Sequence, residues 1–227
     1  FECFNKLKES LDFIVQRNSK CKIFSVYSNK GGIGKTSIAT NLALTFANIT
    51  KEKVALIDLN FQMGDITTFL DIKPSFNISY MLENLDKINE EFLLSTLERY
   101  KTSSLYLLAD PPYFKQAQNI SSKEISKLIN ILRRTFSYII IDCENGFDAK
   151  NIAALTESDF VFLISVANLP VLRNTQRCME LFNKLGFDDD KIKIILNRYM
   201  ENDDVSINDI EKLLNKKLFW KLPNNYF

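Results

Sequence analysis

Lys30-Gly31-Gly32-Ile33-Gly34-Lys35-Thr36 is the stretch whose reading decides the fold. It meets the phosphate-loop pattern G-x-x-x-x-G-K-[ST] only in its second half, because no glycine stands at the first position. Gly34-Lys35-Thr36 is intact, and two glycines and a second lysine precede it. Upstream, Lys22-Ile23-Phe24-Ser25-Val26-Tyr27 is a short apolar run suited to a strand. Downstream, residues 37–47 carry helical periodicity. Strand, glycine turn and helix start together make an anion site. The glycines let backbone N–H groups approach a phosphate, and the helix dipole adds about half a positive charge there. Lys35 is placed to reach β- and γ-phosphates, and Thr36 to offer its hydroxyl to Mg²⁺. A lone Gly-Lys-Thr would suit an ordinary glycine turn with solvated lysines; the flanking strand and helix argue against that.

The whole chain fits one α/β domain, since 227 residues with 46% hydrophobic content can bury a sizeable core. Net charge is +1, so no bulk attraction draws it to nucleic acid or to an anionic membrane. Cys3, Cys21, Cys143 and Cys178 are scattered without metal spacing and read as reduced thiols of a cytoplasmic protein. The chain has no histidine, which removes histidine-activated nucleophiles and histidine metal sites. No apolar run approaches the ~20 residues needed to span a bilayer. The chain begins at Phe1 rather than Met and stops at Tyr226-Phe227, which suggests part of a longer protein.

Two further runs end in a carboxylate. Residues 53–59 read as a buried parallel strand carrying Asp58, and Tyr138-Ile139-Ile140-Ile141-Asp142 as another. In open α/β sheets, ligands bind at the carboxyl ends of such strands. Strand–helix alternation along the chain predicts a doubly wound, mostly parallel sheet flanked by helices. The expected elements are two amphipathic helices within 76–100, strands at 105–109, 159–166 and 191–198, and helices over 121–135, 168–185 and 206–217. A closing strand is expected within 218–223. Apolar positions Phe4, Leu7, Leu11 and Ile14 share one helix face within 1–20. That helix either packs on its own domain or links to an upstream one.

Lys30 ahead of Gly-Gly-Ile-Gly-Lys-Thr resembles the deviant Walker A loop of the ParA/MinD ATPases, and the likeness extends over about residues 20–223. It implies that ATP or ADP with Mg²⁺ is held by Gly31, Gly32, Ile33, Gly34, Lys35, Thr36 and Ser37. It further implies a homodimer formed through bound ATP, in which Lys30 reaches the partner's phosphate. Asp142, downstream of that loop, resembles Walker B and would hold a Mg²⁺-bound water. Cys143-Glu144-Asn145-Gly146 matches the spacing of switch II, where Gly146 swings towards the γ-phosphate. Asp58, Gln62, Gly64 and Asp65 match switch I, with Asp58 supporting the Mg²⁺ shell alongside Thr36 and Asp142.

Asn60 departs from the family, which usually has there the Asp that positions or activates the attacking water. An amide keeps the hydrogen-bonding shape but accepts no proton, and loss of a general base costs ~10²–10⁴ in rate. Slow hydrolysis is therefore expected, unless Asp65 or Asp58 compensates. Asn197 resembles the family's adenine-reading Asn, with Arg198 beside it. Arg173 matches a residue near the dimer face, although a solvated helix-start arginine reads equally well.

Gln62-Met63-Gly64-Asp65, Asn168-Leu169-Pro170-Val171-Leu172-Arg173 and Asn197-Arg198 lean towards the CpaE/TadZ branch, which helps localise Tad-type pilus machinery. That branch implies a receiver-like domain before the ATPase domain, linked by residues 1–20, with residues 21–227 forming the ATPase domain and its last helices absent. It also implies protein partners in a pilus or polar-localisation machine. The protein would be cytoplasmic, recruited to the inner membrane or cell pole, with membrane contact indirect or through segments beyond this chain. Nucleic acid finds no support in the net charge. A structural adaptor that holds nucleotide without turning it over, and a MinD, flagellar-number or partition ATPase, are the competing readings. A metabolic P-loop kinase would need an acceptor pocket for which no motif is visible.

Overall fold

The computed structural model describes residues 21–62, 64–111, 120–203 and 205–224. The helix expected within 1–20 lies outside the described residues, as do Cys3, Met63 and Pro112.

Strand β1 (Lys22–Tyr27) leads into helix α1 (Lys35–Thr50), then β2 (Val54–Asp58), α2 (Ile66–Leu70) and α3 (Ile78–Glu83). A 3₁₀ turn at Leu85–Lys87 and α4 (Glu90–Thr96) precede the short β3 (Glu98–Arg99) and β4 (Leu105–Leu108). The second half runs α5 (Ser122–Leu132), β5 (Tyr138–Asp142), α6 (Ala149–Glu157), β6 (Phe160–Ser165), α7 (Leu169–Lys184), β7 (Ile192–Tyr199), α8 (Ile207–Leu214) and β8 (Trp220–Pro223). These strands form one eight-stranded sheet in the order β3-β4-β2-β5-β1-β6-β7-β8. Every pairing is parallel except the antiparallel edge pair β3–β4. The expected doubly wound, mostly parallel sheet stands.

Both sheet faces are covered, which is why the central strands read as unbroken apolar runs. Ile23, Ile57, Ile139, Leu163 and Ile194 point to one face, where they meet Leu128 and Leu132 of α5, Leu155 of α6, Phe182 of α7 and Ile210 of α8. Phe24, Val26, Leu56, Ile140 and Phe162 point to the other, against Leu42 and Phe46 of α1 and Ile66 and Leu70 of α2. There Phe24 stacks on Phe46 and Phe162, with ring centroids 5.4 and 5.5 Å apart.

The structure corrects the sequence reading in three places. The second helix within 76–100 stops at Thr96, because Glu98-Arg99 pair with Tyr106-Leu107 as an edge strand. Lys101, in the left-handed region at φ 50°, lies between those strands. Helix 206–217 ends at Leu214, where Asn215 turns left-handed at φ 49° and caps it. Helices α2 and α6 were not expected. Helix α6 buries only Asn151, Ala154 and Leu155, too few apolar positions to mark a helical face. At the other extreme, α5 begins as expected, with Ser121 and Glu124 forming a complete capping box.

Strand β1 lies between β5 and β6, and the chain leaves β1 towards β2 on one side but later crosses to β6 on the other. A reversal of this kind opens a crevice outside the carboxyl ends of the strands. The glycine stretch that follows β1 opens into that crevice.

Candidate nucleotide-binding site

The loop between β1 and α1 is shaped by its glycines. Gly32 and Gly34 sit in the left-handed region at φ 75° and 92°. Gly34 has a second constraint, since a Cβ there would lie 2.5 Å from Asn197 Nδ2. That amide donates to the Ile33 carbonyl at 2.7 Å, bracing the loop from the end of β7. The Ile33 side chain is buried in the core, so only its backbone faces outward. Helix α1 starts at Lys35 with no side-chain cap and no acidic residue in its first turn. Its first N–H groups are left for an anion.

Beneath the loop sit two carboxylates. Asp58 and Asp142 end neighbouring parallel strands at the same register, and they are 0% and 1% exposed. Asp142 Oδ2 accepts from Thr36 Oγ1 at 2.6 Å, and Asp58 Oδ1 accepts from the Asn60 N–H at 3.0 Å. The other oxygen of each, Asp142 Oδ1 and Asp58 Oδ2, has no hydrogen-bond partner. Burial and the neighbouring carboxylate hold Asp58 well above the usual carboxylate range. Burial, partly offset by the Thr36 hydrogen bond and Lys35, lifts Asp142 to about 6.

Two buried, incompletely paired carboxylates beside a hydroxyl make a poor interior and a good cation seat. Among the described residues no group of three or more His, Cys, Asp or Glu forms a closed metal cage. The donor set suits Mg²⁺, which binds through one or two carboxylates together with phosphate oxygens and water.

Above the carboxylates lies an open cavity of about 450 Å³. Gly31, Gly32, Gly34, Lys35, Thr36 and Ser37 line one wall; Asn60, Gln62, Asp65, Glu144, Asn145 and Arg198 belong to the others. Burial lowers the Lys35 ammonium from its ordinary range, opposed by the charge of Asp142. Its Nζ donates to Asn145 Oδ1 at 2.5 Å. Burial raises Glu144, and a hydrogen bond with Gln62 opposes that rise.

The residues singled out from sequence are thus divided. Lys35, Thr36, Ser37, Gly31, Gly32, Gly34, Asn60 and Arg198 border the cavity, with Asp58 and Asp142 below it. Lys30 is exposed and not among the lining residues, and Arg173 is exposed on α7. Gly146, at φ 95°, turns the chain behind the cavity, its carbonyl accepting from Tyr27 Oη at 3.1 Å and Asn151 Nδ2 at 3.0 Å. Asn197 holds the loop rather than lining the cavity.

The sequence reading assigns no role to Phe69, Glu144 and Asn145, which line the cavity, or to Asp110. Glu144 and Asn145 were only spacers in the Asp142–Gly146 interval, although their polarity so close to a strand-end Asp was a usable signal. Asp110, at the end of β4, accepts from the Gly64 N–H and leaves no room for a Cβ at Gly64. Only the pairing of β4 with β2 reveals that contact.

A glycine loop at a bare helix start, with strand-end carboxylates beneath it in a parallel sheet, defines a P-loop nucleotide-binding protein. The profile of a family described as AAA domain matches residues 21–194, and the chain belongs to that family. Septum site-determining protein MinD of Thermotoga maritima is 27% identical over 210 residues, spanning 89% of this chain and 75% of that protein. The putative MinD of Tupiella akineta is 26% identical over 212 residues, spanning 90% of this chain and 67% of its own length. Among solved structures, a ParA family ATPase from Chlorobium tepidum superposes with a TM-score of 0.85 at 25% identity, over 91% of this chain and 86% of that one. MinD of Pyrococcus horikoshii, solved with Mg-ADP, gives 0.76 at 20% identity, over 90% and 82%. These relatives place the chain in the ParA/MinD family of P-loop ATPases.

Proposed function

We propose that this chain is a nucleotide-switched positioning ATPase. The observation that carries the reading is the buried Asp58–Asp142 pair, each with a bare oxygen, under a glycine loop and an uncapped helix start. Mg²⁺ would be held by Thr36 Oγ1 and Asp142, with Asp58 beside them, and would neutralise phosphate charge. The protein's own groups do the rest. Backbone N–H groups of residues 31–37 cradle phosphate oxygens, and Lys35 exchanges Asn145 for a phosphate. Arg198 borders the cavity near the mouth; Asn197 fixes the loop that would carry the nucleotide. The Mg-ADP in the Pyrococcus relative supports the same ligand here.

The switch works through association. A second copy closing over the bound triphosphate would bring its Lys30 to the phosphates, and the exposed position of Lys30 suits a contact in trans. The lifetime of that dimer, set by hydrolysis, is the signal read by protein partners. Asn60 on the cavity wall gives a slow rate. The cargo we favour is a Tad-type pilus machine at the inner membrane or pole, on the resemblance at Gln62, Gly64, Asp65 and Asn168–Arg173. A septum- or plasmid-positioning role is the alternative that the relatives' names support. Among the described residues no helix is long and apolar enough to cross a membrane, so recruitment to a membrane would run through partners or other segments. The amide of Asn60 also favours a second reading, an adaptor that keeps its nucleotide.

Light scattering with Mg²⁺-ATP, with Mg²⁺-ADP and without nucleotide tests the switch. A dimer formed only with ATP and lasting minutes is the expected result. One mass in all three conditions would contradict it.

A further inference from the structure

Asn60 brings an amide to the cavity beside the glycine loop, and the carboxylates on the cavity wall belong to Asp65 and Glu144. Of the two, Glu144 is held through its backbone carbonyl and by one hydrogen bond to its side chain. Its backbone carbonyl accepts from Asn151 Nδ2 at 3.2 Å, and the same amide holds the Gly146 carbonyl at 3.0 Å. Asn151 is 2% exposed, and its own N–H is tied to Asp148 Oδ1 at 2.7 Å, so this anchor sits in the core. The Glu144 side chain is hydrogen-bonded by Gln62, from the segment that follows β2. The next residue, Asn145, touches Lys35 Nζ and lies 3.2 Å from where a Cβ of Gly31 would stand. The Glu144 carboxylate therefore borders the cavity beside Lys35 and Asn145, on a turn anchored to Asn151 and with Gln62 bonded to it. Hydrolysis needs an acceptor that orients a water in line with the bond to be broken.

We propose that Glu144, steadied by Gln62, is the catalytic residue that orients the attacking water, supplying the charged carboxylate acceptor that the neutral amide of Asn60 does not. The inference rests on the nucleotide-switch reading above. In the step, the water oxygen bonds to the γ-phosphorus. The bond from that phosphorus to the β,γ-bridging oxygen breaks, its electron pair leaving on the diphosphate. The water's protons end on the released phosphate and in solvent. Glu144 accepts a hydrogen bond from the water and emerges unchanged.

The test uses the full chain with Mg²⁺-ATP for phosphate release and a fluorescent ATP analogue for affinity. Glu144→Gln should lower kcat by about 10²-fold, the usual worth of a positioned catalytic carboxylate, and leave analogue affinity within about threefold. Glu144→Asp should recover part of the rate. Gln62→Ala, which leaves the turn itself intact, should cost about tenfold in kcat, again with affinity kept. The ATP-bound dimer of Glu144→Gln should outlive that of the wild type, a readout that a merely structural role would not move. Glu180→Gln, exposed on α7, is the matched control at wild-type rate. A Glu144→Gln rate within threefold of wild type, or a loss that instead follows Asp65→Asn, would overturn the proposal while leaving the nucleotide switch standing. A wild-type chain that neither binds nor hydrolyses Mg²⁺-ATP would overturn both.

Discussion

Two buried polar regions of this molecule are built on the same sheet and treated in opposite ways. Behind β1 and β6, Ser25 Oγ and Ser158 Oγ are 2.7 Å apart, and Ser158 also donates to the Ala154 carbonyl at 2.8 Å. Thr175 Oγ1 lies 2.9 Å from Ser165 Oγ and donates to the Val171 carbonyl at 3.0 Å. At the carboxyl ends of β2 and β5, by contrast, two buried carboxylates stand at the same register with one bare oxygen apiece. Neutral hydroxyls that close on themselves fasten helices to strands at a modest net gain. Buried carboxylates left open are costly to ionise in the resting protein, a cost repaid when a cation arrives. The first region serves the fold; the second fits a ligand.

The comparison breaks most visibly through activity. Asp142→Asn should lower Mg²⁺-dependent hydrolysis by at least about 10²-fold, since a metal seat contributes several kcal/mol to charge stabilisation, and phosphate-release kinetics would show it. The same substitution should raise the stability of the nucleotide-free protein at neutral pH by up to about 3 kcal/mol, from a carboxylate lifted from 3.8 to about 6, as chemical denaturation would measure.

The sign follows from proton binding. Asp142 holds its proton more tightly folded than unfolded, so its contribution is most favourable below about pH 4. That contribution is lost as pH rises towards about 6 and is level beyond it. The gap between variant and wild type should therefore open across that window.

In the closed region the same kind of change has the opposite sign. Thr175→Val should cost about 1–3 kcal/mol in denaturation by stranding Ser165, with hydrolysis unchanged. Smallest is Ser121→Ala, which removes one half of the α5 capping box far from either region and should cost about 1 kcal/mol.

Sequence and structure part company along the same line. The glycine loop, the apolar strands and the strand-end Asp58 and Asp142 were legible because each is written within a few consecutive residues. Pairing was not. That Asp58 stands level with Asp142 depends on β2 choosing β5 as its neighbour, across the intervening residues 59–137. Edge strand β3 exists only because β4 accepts it, which no helical periodicity in residues 90–97 could show. Asn197 resembled a base-reading residue on its position at a strand end. Its contact with Ile33, 164 positions away in sequence, adds a second role, bracing the loop, that no local pattern shows. Glu144 and Asn145 were passed over because spacing highlights Asp142 and Gly146, while their importance comes from Lys35 and Gln62 arriving from elsewhere.

The most direct test of the central claim, that the open carboxylates await a cation delivered with the nucleotide, is thermal unfolding with ATP in the presence and absence of Mg²⁺. The account predicts a large rise in Tm with Mg²⁺-ATP that collapses when Mg²⁺ is chelated, and its disappearance in Asp142→Asn. An equal rise with ATP in excess chelator would contradict it.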